Sequence, residues 1–348
     1  MIDYSNSSVD KVSAHQVGNK NNGEDILISK SMLDTSDPVM RELLQKYFLS
    51  PFKTSEFYNF TFTNQDHTLN PLYNYATQIF DGLSDFHLNS INIAKHLYET
   101  SNHPQIKAGD LFVVHFSNLR VEYKEVNAIG IFKSENRQAF LKLNHSKTDF
   151  LLNYEEGINI DKLDKGCLII DSDIDKGYKV CIIDRANKSG EAQFWKDQFL
   201  MLRPCNDDYH QTSDFLQIAK TFVTKQLDED FEVNKTDKID FLNRSMDYFK
   251  NHDDFKKEEF EQEVFQDNSV IKSFREFDEN YRKENDIVVE DHFEISLPAV
   301  KKQAKVFKSI LKLDKNFHIY IHGNKELIEH GVEKDGRKFY KIYYTNEA

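Results

Sequence analysis

The stretch Leu111-Phe-Val-Val-His-Phe116 decides the fold of the N-terminal half of the chain. β-Branched and aromatic residues dominate it, and this composition is typical of a β-strand. Glycine, asparagine, aspartate and lysine separate it from further runs of the same kind. These runs are Val126–Phe132, Ala139–Leu143, Cys167–Ile170 and Tyr178–Ile183. Because the runs are short and mostly adjacent in sequence, they predict an antiparallel sheet.

Two strands and a helix are expected before this sheet. Val9–Val17 and Glu24–Ser29 predict strands joined by the turn Asn21-Asn22-Gly23. Ser36-Asp37-Pro38 predicts the start of a helix, and Pro51 predicts its end. The expected apolar stripe of this helix consists of Val39, Leu43, Leu44 and Phe48.

Two more helices complete the N-terminal region. Asn70-Pro71 predicts the start of one, with Tyr73, Ala76 and Phe80 on one face. Ser84 is expected to cap the other, which directs Ile91, Ala94 and Leu97 toward a core. Residues 1–205 are therefore predicted to form an α+β region of mixed helices and antiparallel sheet.

Residues 206–298 combine a helical period with a strong negative charge. They hold 12 basic and 25 acidic side chains. Apolar residues recur at helical spacing over Phe215–Phe222, Ile239–Phe249, Phe255–Phe265 and Val270–Tyr281. This predicts an acidic helical region with its charges on the outer faces.

Residues 299–348 return to strands and reverse the charge, with 11 basic and 6 acidic side chains. Apolar and polar residues alternate over Phe307–Leu313 and again over Phe317–Ile321, and Asp314-Lys315-Asn316 joins the two runs as a turn. The alternation predicts a two-stranded ribbon with one apolar face and one face of lysine, histidine and tyrosine. A last strand is expected over Phe339–Tyr344. We expect this basic C-terminal β-ribbon to pack on the rest of the chain.

The basic stretch Lys301–Lys325 has seven lysines and one acid in a chain whose net charge is −13. Such a lysine-rich face suits phosphate, because nucleic-acid affinity comes largely from cations that displace counterions. Two other interpretations stay open. The lysines could protect a strand edge from aggregation, or dock on the acidic helices in cis or across a dimer. The acidic balance argues against indiscriminate coating of DNA, although screening limits repulsion to about 10 Å.

The remaining composition indicates an intracellular protein. The three cysteines, Cys167, Cys181 and Cys205, form no CxxC pair, which is typical of reduced, buried thiols. The N-terminus lacks the basic and apolar segments of a signal peptide, and no apolar window reaches the length of a membrane span. We expect a cytoplasmic location and no contact with a membrane.

Several motifs resemble sites but lack a necessary part. His318 and His322 would lie about 13 Å apart on a strand, too far to share one zinc ion. Asp171–Gly177 resembles the start of a calcium loop, but Ile182 stands where its glutamate belongs, so a polar hairpin loop is expected. A dinucleotide fingerprint, a nucleophile elbow and a catalytic carboxylate pair are missing from the sequence. We therefore expect no metal, no cofactor and no catalytic residue.

The chain resembles the 37-kilodalton nucleoid-associated (NdpA-like) proteins, in the longer form typical of Bacteroidetes. The segments that carry the resemblance are Asn89–Tyr98, Asn127–Ser134, Asn159–Ile169, Asn187–Leu202 with Gln193-Phe-Trp-Lys-Asp197, and Val300–Gly323. The resemblance runs nearly from end to end. It implies association with the bacterial nucleoid and a DNA-binding role without known enzymatic activity, and it supplies no agreed set of DNA-contacting residues.

The leading hypothesis is a non-enzymatic nucleoid protein that binds DNA phosphates through its basic C-terminal face, with low sequence specificity. We expect double-stranded DNA as the partner and allow for a homodimer. The nucleic-acid-binding residues expected from charge and position are Lys301, Lys302, Lys305, Lys308, Lys312, Lys315, His318 and Tyr320, with Lys338 and Lys341 as secondary contacts. The alternatives are a protein-interaction module whose ribbon docks on acidic helices, and an unrecognised nucleotide-processing enzyme.

Overall fold

The computed structural model describes residues 2–53, 56–185, 194–307, 310–321 and 327–346. The chain divides into two compact units, Met1–Cys205 and Asn206–Ala348. The helices of the acidic region and the C-terminal strands both belong to the second unit. A finer division of that unit at residue 298 stays a prediction.

A nine-stranded antiparallel sheet forms the centre of the first unit, in the order β11-β4-β10-β9-β6-β5-β2-β3, with β1 beside β5. Its strands are β1 Ile2–Asp3, β2 Ser8–Val17, β3 Ile26–Leu27, β4 Tyr58–Phe60, β5 Gly109–Val121, β6 Lys124–Ser134, β9 Lys165–Ile170, β10 Lys179–Asp184 and β11 Leu202–Pro204. The predicted antiparallel sheet and the α+β class are confirmed. The run Leu111–Phe116 lies in β5, between β2 and β6.

Two strands of the first unit stay outside this sheet. β7 (Gln138–His145) and β8 (Phe150–Gly157) form a separate antiparallel hairpin. The expectation that Ala139–Leu143 would join the central sheet is therefore wrong. β7 cannot pair with β6, because β6 already pairs with β5 on one side and with β9 on the other.

Three α-helices cover the two faces of the sheet: α1 Pro38–Leu49, α2 Pro71–Phe80 and α3 Phe86–Thr100. α2 and α3 pack on the face that holds Val113 and Ile131, whereas α1 packs on the opposite face with Val114 and Phe132. A π-helical segment, Phe194–Leu200, joins the first of these layers. Neighbouring residues of each central strand thus point into different cores, because side chains alternate along a strand.

The predicted helix starts are largely confirmed. Asp37 caps α1 by accepting from the Val39 amide, with Pro38 in the first turn, and Asn70 caps α2. The third cap is Asp85 rather than Ser84. The expected stripe of α1 is wrong at its start, since Val39 is 64% exposed and Leu43 is 39% exposed. The last turn of α1 packs on the sheet instead, with Tyr47, Phe48 and Leu49 buried.

Within its described residues, the second unit packs six α-helices around an aromatic core. They are α4 Asp208–Thr221, α5 Leu227–Asp230, α6 Lys235–Asn251, α7 Lys257–Val264, α8 Asn268–Asn285 and α9 Leu297–Ala304. A π-helical turn, Phe222–Gln226, continues α4, and the short strands β12 (Asp254–Lys256) and β13 (His292–Glu294) pair with each other. The predicted helices over Phe215–Phe222 and Ile239–Phe249 are confirmed. Phe255 lies in β12 and not in a helix.

Two further hairpins end the second unit. β14 (Ile310–Leu313) pairs with β15 (Phe317–Tyr320), and β16 (Ile328–Val332) pairs with β17 (Lys338–Ile342). The expected last strand is thus present as β17, whereas β16 was not foreseen. Across the described part of the chain, no helix combines the length and the apolar character needed to cross a membrane.

Candidate nucleic-acid interface

The β14–β15 ribbon has the two faces that its sequence predicts. Lys312 lies opposite His318, and Leu311 lies opposite Ile319 on the other face. Leu311 is fully buried and clusters with Ile239 of α6 and with Ile321. This apolar contact fixes the ribbon as part of the second unit and turns its polar face outward.

The outward face carries cations beside an aromatic ring. Lys312 and His318 are exposed, and Tyr320, two residues beyond His318 on the same face, is 64% exposed. Lys315 is exposed in the turn that follows Asp314, whose backbone is left-handed. Ammonium groups suit phosphate oxygens, and a phenol ring can contact a sugar or a base. Lys308, also expected here, lies outside the described residues, as does His322.

Lys301, Lys302 and Lys305 lie on α9 and at its C-terminal end instead of on the ribbon. The helix begins after Ser296 with Pro298 in its first turn, a start signal that the sequence does contain. Ala299 and Val300 face the core, which leaves the three lysines exposed. Cations near a helix C-terminus are also favoured by the helix dipole. The first part of the basic stretch is therefore helical.

The two secondary residues, Lys338 and Lys341, lie on opposite faces of the β16–β17 hairpin, since they are three positions apart on one strand. Lys341 faces Glu329, with 3.5 Å between Nζ and Oε2. Contacts with Tyr343 and Glu329 raise the pKa of the Lys341 ammonium. Lys338 lies across from Val332. These two lysines cannot both join one flat surface.

Acidic side chains lie close to the second hairpin. Asp228, Glu229, Asp230 and Glu232 line an open depression together with His330 of β16. Negative charge there opposes the approach of DNA phosphates. The outward face of the β14–β15 ribbon is therefore the better candidate for phosphate contact within the described part of the second unit.

Two histidine clusters elsewhere have structural explanations. In the first unit, Ser13 Oγ lies 2.8 Å from His87 Nδ1, and His15 Nε2 lies 3.0 Å from Ser90 Oγ. Ser13, His15 and Ser90 are buried, so the pairs are a polar network inside the protein. Burial, with a smaller contribution from His87, lowers the pKa of His15 to about 4. The sequence does not indicate this serine–histidine pairing, because the pairing depends on packing between β2 and α3.

In the second unit, His252 lies between a half-buried carboxylate, Glu259, and an exposed one, Glu263. Its Nε2 is 3.4 Å from Glu263 and 3.9 Å from Glu259. Possible ligand atoms of the three residues come within 4.8 Å of one another. His252 also stacks on Tyr248, with 4.2 Å between ring centroids. Ion pairing and stacking account for the positions of these three side chains.

The other motifs singled out in the sequence also have ordinary places. Asp171–Gly177 forms the loop between β9 and β10, as predicted. The loop contains one 3₁₀ turn, Ile174–Lys176. The three cysteines are buried thiols and form no disulfide within the described residues, also as predicted. Burial raises the pKa of the Cys167 and Cys181 thiols, which keeps them protonated and unreactive.

Comparison with known protein families identifies the family of this chain. The model of the family described as nucleoid-associated protein YejK matches residues 13–337. That range includes the sheet of the first unit except β1 and the start of β2 and, in the second unit, the helices and the β14–β15 ribbon. The chain matches no protein with a curated description.

Proposed function

Because the chain belongs to the family of nucleoid-associated proteins, we propose that it binds double-stranded DNA through the outward face of the β14–β15 ribbon. Membership itself gives association with the nucleoid, and with it a location in the cytoplasm. The resemblance to the Bacteroidetes form stays a prediction. The contact surface, the DNA form and the absence of catalysis are parts of the proposal.

One observation carries the proposal: the ribbon buries Leu311 of its apolar face against Ile239 and exposes Lys312, His318 and Tyr320 on the other face. Because the backbone of this cationic face is already ordered, little backbone conformational entropy is lost when the face binds phosphate. The turn residue Lys315 extends this face, and Lys338 is a secondary contact. Contacts of this kind read the backbone and not the bases, so specificity should be low.

The helix α9 supports the same surface. α6 packs against both α9 and β14, so the second unit holds the lysines of α9 and of the ribbon on one scaffold. Lys301, Lys302 and Lys305 each add an exposed cation. With about four to six phosphates neutralised, the association constant should fall steeply as salt rises.

Charge reversal at Lys312 tests the proposal. Binding of a fluorescent 30-base-pair duplex would be measured by anisotropy over a salt series, for wild type and Lys312→Glu. Lys272→Glu is the matched control, because Lys272 is an exposed lysine on α8 whose side chain is 80% exposed. We expect Lys312→Glu to weaken binding about tenfold near ~0.1 M salt and to reduce the salt slope by about 1.

An unchanged affinity and slope in Lys312→Glu, or an equal loss in Lys272→Glu, would overturn the assignment of this face. Charge reversal is a cleaner test than truncation before α9. A truncation there would remove Val300 and Phe307 from the core of the second unit and unfold it.

A second function is favoured by the acids around His330. Asp228–Glu232 could receive the basic ribbon of another molecule, and nucleoid association would then be indirect. A gel shift with purified protein separates the two functions. Retarded DNA at low salt supports direct binding, whereas self-association that disappears in salt, without a shift, supports the interaction module.

A further inference from the structure

We propose that the β7–β8 hairpin is a dimerisation surface whose partner is a second copy of this chain. The hairpin belongs to the first unit and is separate from the proposed DNA face. Its role does not depend on DNA binding.

Pairing between β7 and β8 sorts their side chains onto two unlike faces. On one face, Leu141 lies opposite Tyr154, Leu143 opposite Leu152, and His145 opposite Phe150. The other face carries the pairs Phe140–Glu155, Lys142–Asn153 and Asn144–Leu151. The first set is the apolar face of the hairpin, and the second set is its polar face.

The apolar face is open to solvent. Its five large residues are Leu141 (77% exposed), Leu143 (60%), Phe150 (75%), Leu152 (59%) and Tyr154 (69%). Together they present on the order of 600 Å² of contiguous, mostly apolar surface. Monomeric proteins seldom leave a patch of this size uncovered unless it meets a partner.

The hairpin is a defined structure, and its polar face, which also carries the exposed Phe140 and Leu151, is held by polar contacts. Lys142 Nζ lies 2.7 Å from Glu155 Oε1. At the base of the hairpin, the side-chain Nδ2 of Asn159 donates to Gln138 Oε1 at 2.8 Å. The Ser146 amide donates to the Asp149 carbonyl at 2.9 Å and closes the tip. An isolated two-stranded hairpin is only marginally stable in water. Burial of the apolar face would therefore stabilise the hairpin and the contact together.

Charge and area both fit a second copy. The middle of the apolar face, from Leu141 and Tyr154 to Leu143 and Leu152, carries no charge. Glu156 lies at one end of this face and His145 at the other. If the apolar faces of two copies pack together about a two-fold axis perpendicular to the strands, Glu156 of each copy lies at the His145 end of the other. Such packing buries about 1,200 Å² in total, which reaches the range of stable interfaces.

The chemistry of the face disfavours DNA as its occupant. Phosphate needs cations, and the only basic side chain within the apolar face is His145 at its end. The hairpin itself carries two lysines, Lys142 on the polar face and Lys147 at the tip, which is likewise a poor match for anionic lipid.

Adjacent residues of β7 give a matched pair of variants. Leu143→Glu places a charge on the apolar face, and Asn144→Glu places the same charge on the polar face one residue away. The mass of the full chain in solution would be measured by sedimentation equilibrium at micromolar concentrations. We expect wild type and Asn144→Glu to be dimers, and Leu143→Glu to dissociate at least about 100-fold more readily.

The opposite results are equally clear. A monomeric wild-type protein, or a dimer that survives Leu143→Glu, would overturn the proposal. A dimer sensitive to salt and to Lys312→Glu, but not to Leu143→Glu, would assign self-association to the basic ribbon. Since Leu143 is mostly exposed, both variants should keep the wild-type circular dichroism spectrum.

Discussion

The β7–β8 hairpin and the β14–β15 ribbon are both two-stranded, antiparallel and amphipathic. The apolar face of the ribbon packs on a helix, although Phe317 near its turn stays exposed, whereas the apolar face of the hairpin is open to solvent. In the ribbon, Leu311 is fully buried beside α6, and lysine and histidine face outward. In the hairpin, Leu141 and Leu143 remain exposed. The same alternation in sequence thus presents cations to solvent in one unit and apolar side chains in the other. Contact with a neighbouring helix, and not the pattern itself, decides which face is available.

The same substitution in the two hairpins should have very different effects on stability. Leu311→Ala should lower the free energy of unfolding of the second unit by about 2–4 kcal/mol, because it leaves a cavity in a packed cluster. Leu141→Ala should change the stability of the monomer by less than ~0.5 kcal/mol. Urea unfolding followed by circular dichroism, at concentrations below dimer formation, would measure both. Equal losses would show that the two apolar faces are equally covered.

Acid should lower the stability of the first unit, which carries the β7–β8 hairpin, because His15 becomes protonated on unfolding. Its pKa is lowered to about 4 in the folded protein, against an ordinary value near 6.5. The unfolded chain therefore binds a proton first as pH falls below about 6.5, and up to about 3 kcal/mol of stability is lost by pH 4. Unfolding of the first unit would be measured across this range.

A variant and a control separate His15 from general acid effects. His15→Gln should flatten the loss of stability between pH 6.5 and 4, whereas His292→Gln, at an exposed position of β13, should not. If both variants keep the wild-type profile, His15 is not the group responsible.

Two lysines of the second unit, one on the β14–β15 ribbon and one on the β16–β17 hairpin, should differ in their effect on DNA binding. Lys312→Ala should weaken DNA binding by about 1 kcal/mol, or roughly fivefold, near ~0.1 M salt. Lys341→Ala should weaken it less than about twofold, because Glu329 already neutralises that ammonium. Anisotropy titrations would measure both. Equal losses would mean that the outward face of the ribbon is not the main contact.

The smallest effect is expected on the polar face of the hairpin. Lys142 and Glu155 are paired at 2.7 Å, but both side chains are more than half exposed. Glu155→Gln should therefore cost less than ~0.5 kcal/mol of unfolding free energy and leave dimer formation unchanged. A double-mutant cycle with Lys142→Met isolates the pair. A larger coupling energy, or a loss of the dimer, would show that the polar face also takes part in the contact.

Local signals in the sequence predict much of the fold. The β-branched run Leu111–Phe116 lies in β5, and the cap Asp37-Pro38 begins α1, because both depend on neighbouring residues alone. Tertiary facts were not predictable. Val39 has a helical spacing but faces solvent, and Ala139–Leu143 has strand character but finds no free edge of the sheet. Both outcomes depend on which surfaces the rest of the chain brings near.

The candidate site was predictable to the same limited extent. A period of two along Leu311–Leu313 and Phe317–Ile319 is enough to separate the faces of the ribbon. The helix that carries Lys301 was missed although Ser296 and Pro298 mark its start. The assignment of these lysines to DNA rests on charge and stays a prediction. The pairing of Ser13 with His87, 74 residues apart, depends on packing that no local pattern encodes.

The buried indole of Trp195 gives the molecule an internal optical reporter. It is the single tryptophan of the chain, fully buried in the first unit, with its Nε1 donating to the Gly166 carbonyl at 3.3 Å. The second unit contains tyrosine and phenylalanine but no tryptophan. Tryptophan fluorescence, excited at the long-wavelength edge of the protein absorption band, therefore follows the unfolding of the first unit alone, without any label. Far-ultraviolet dichroism follows both, and the difference between the two signals isolates the helical unit.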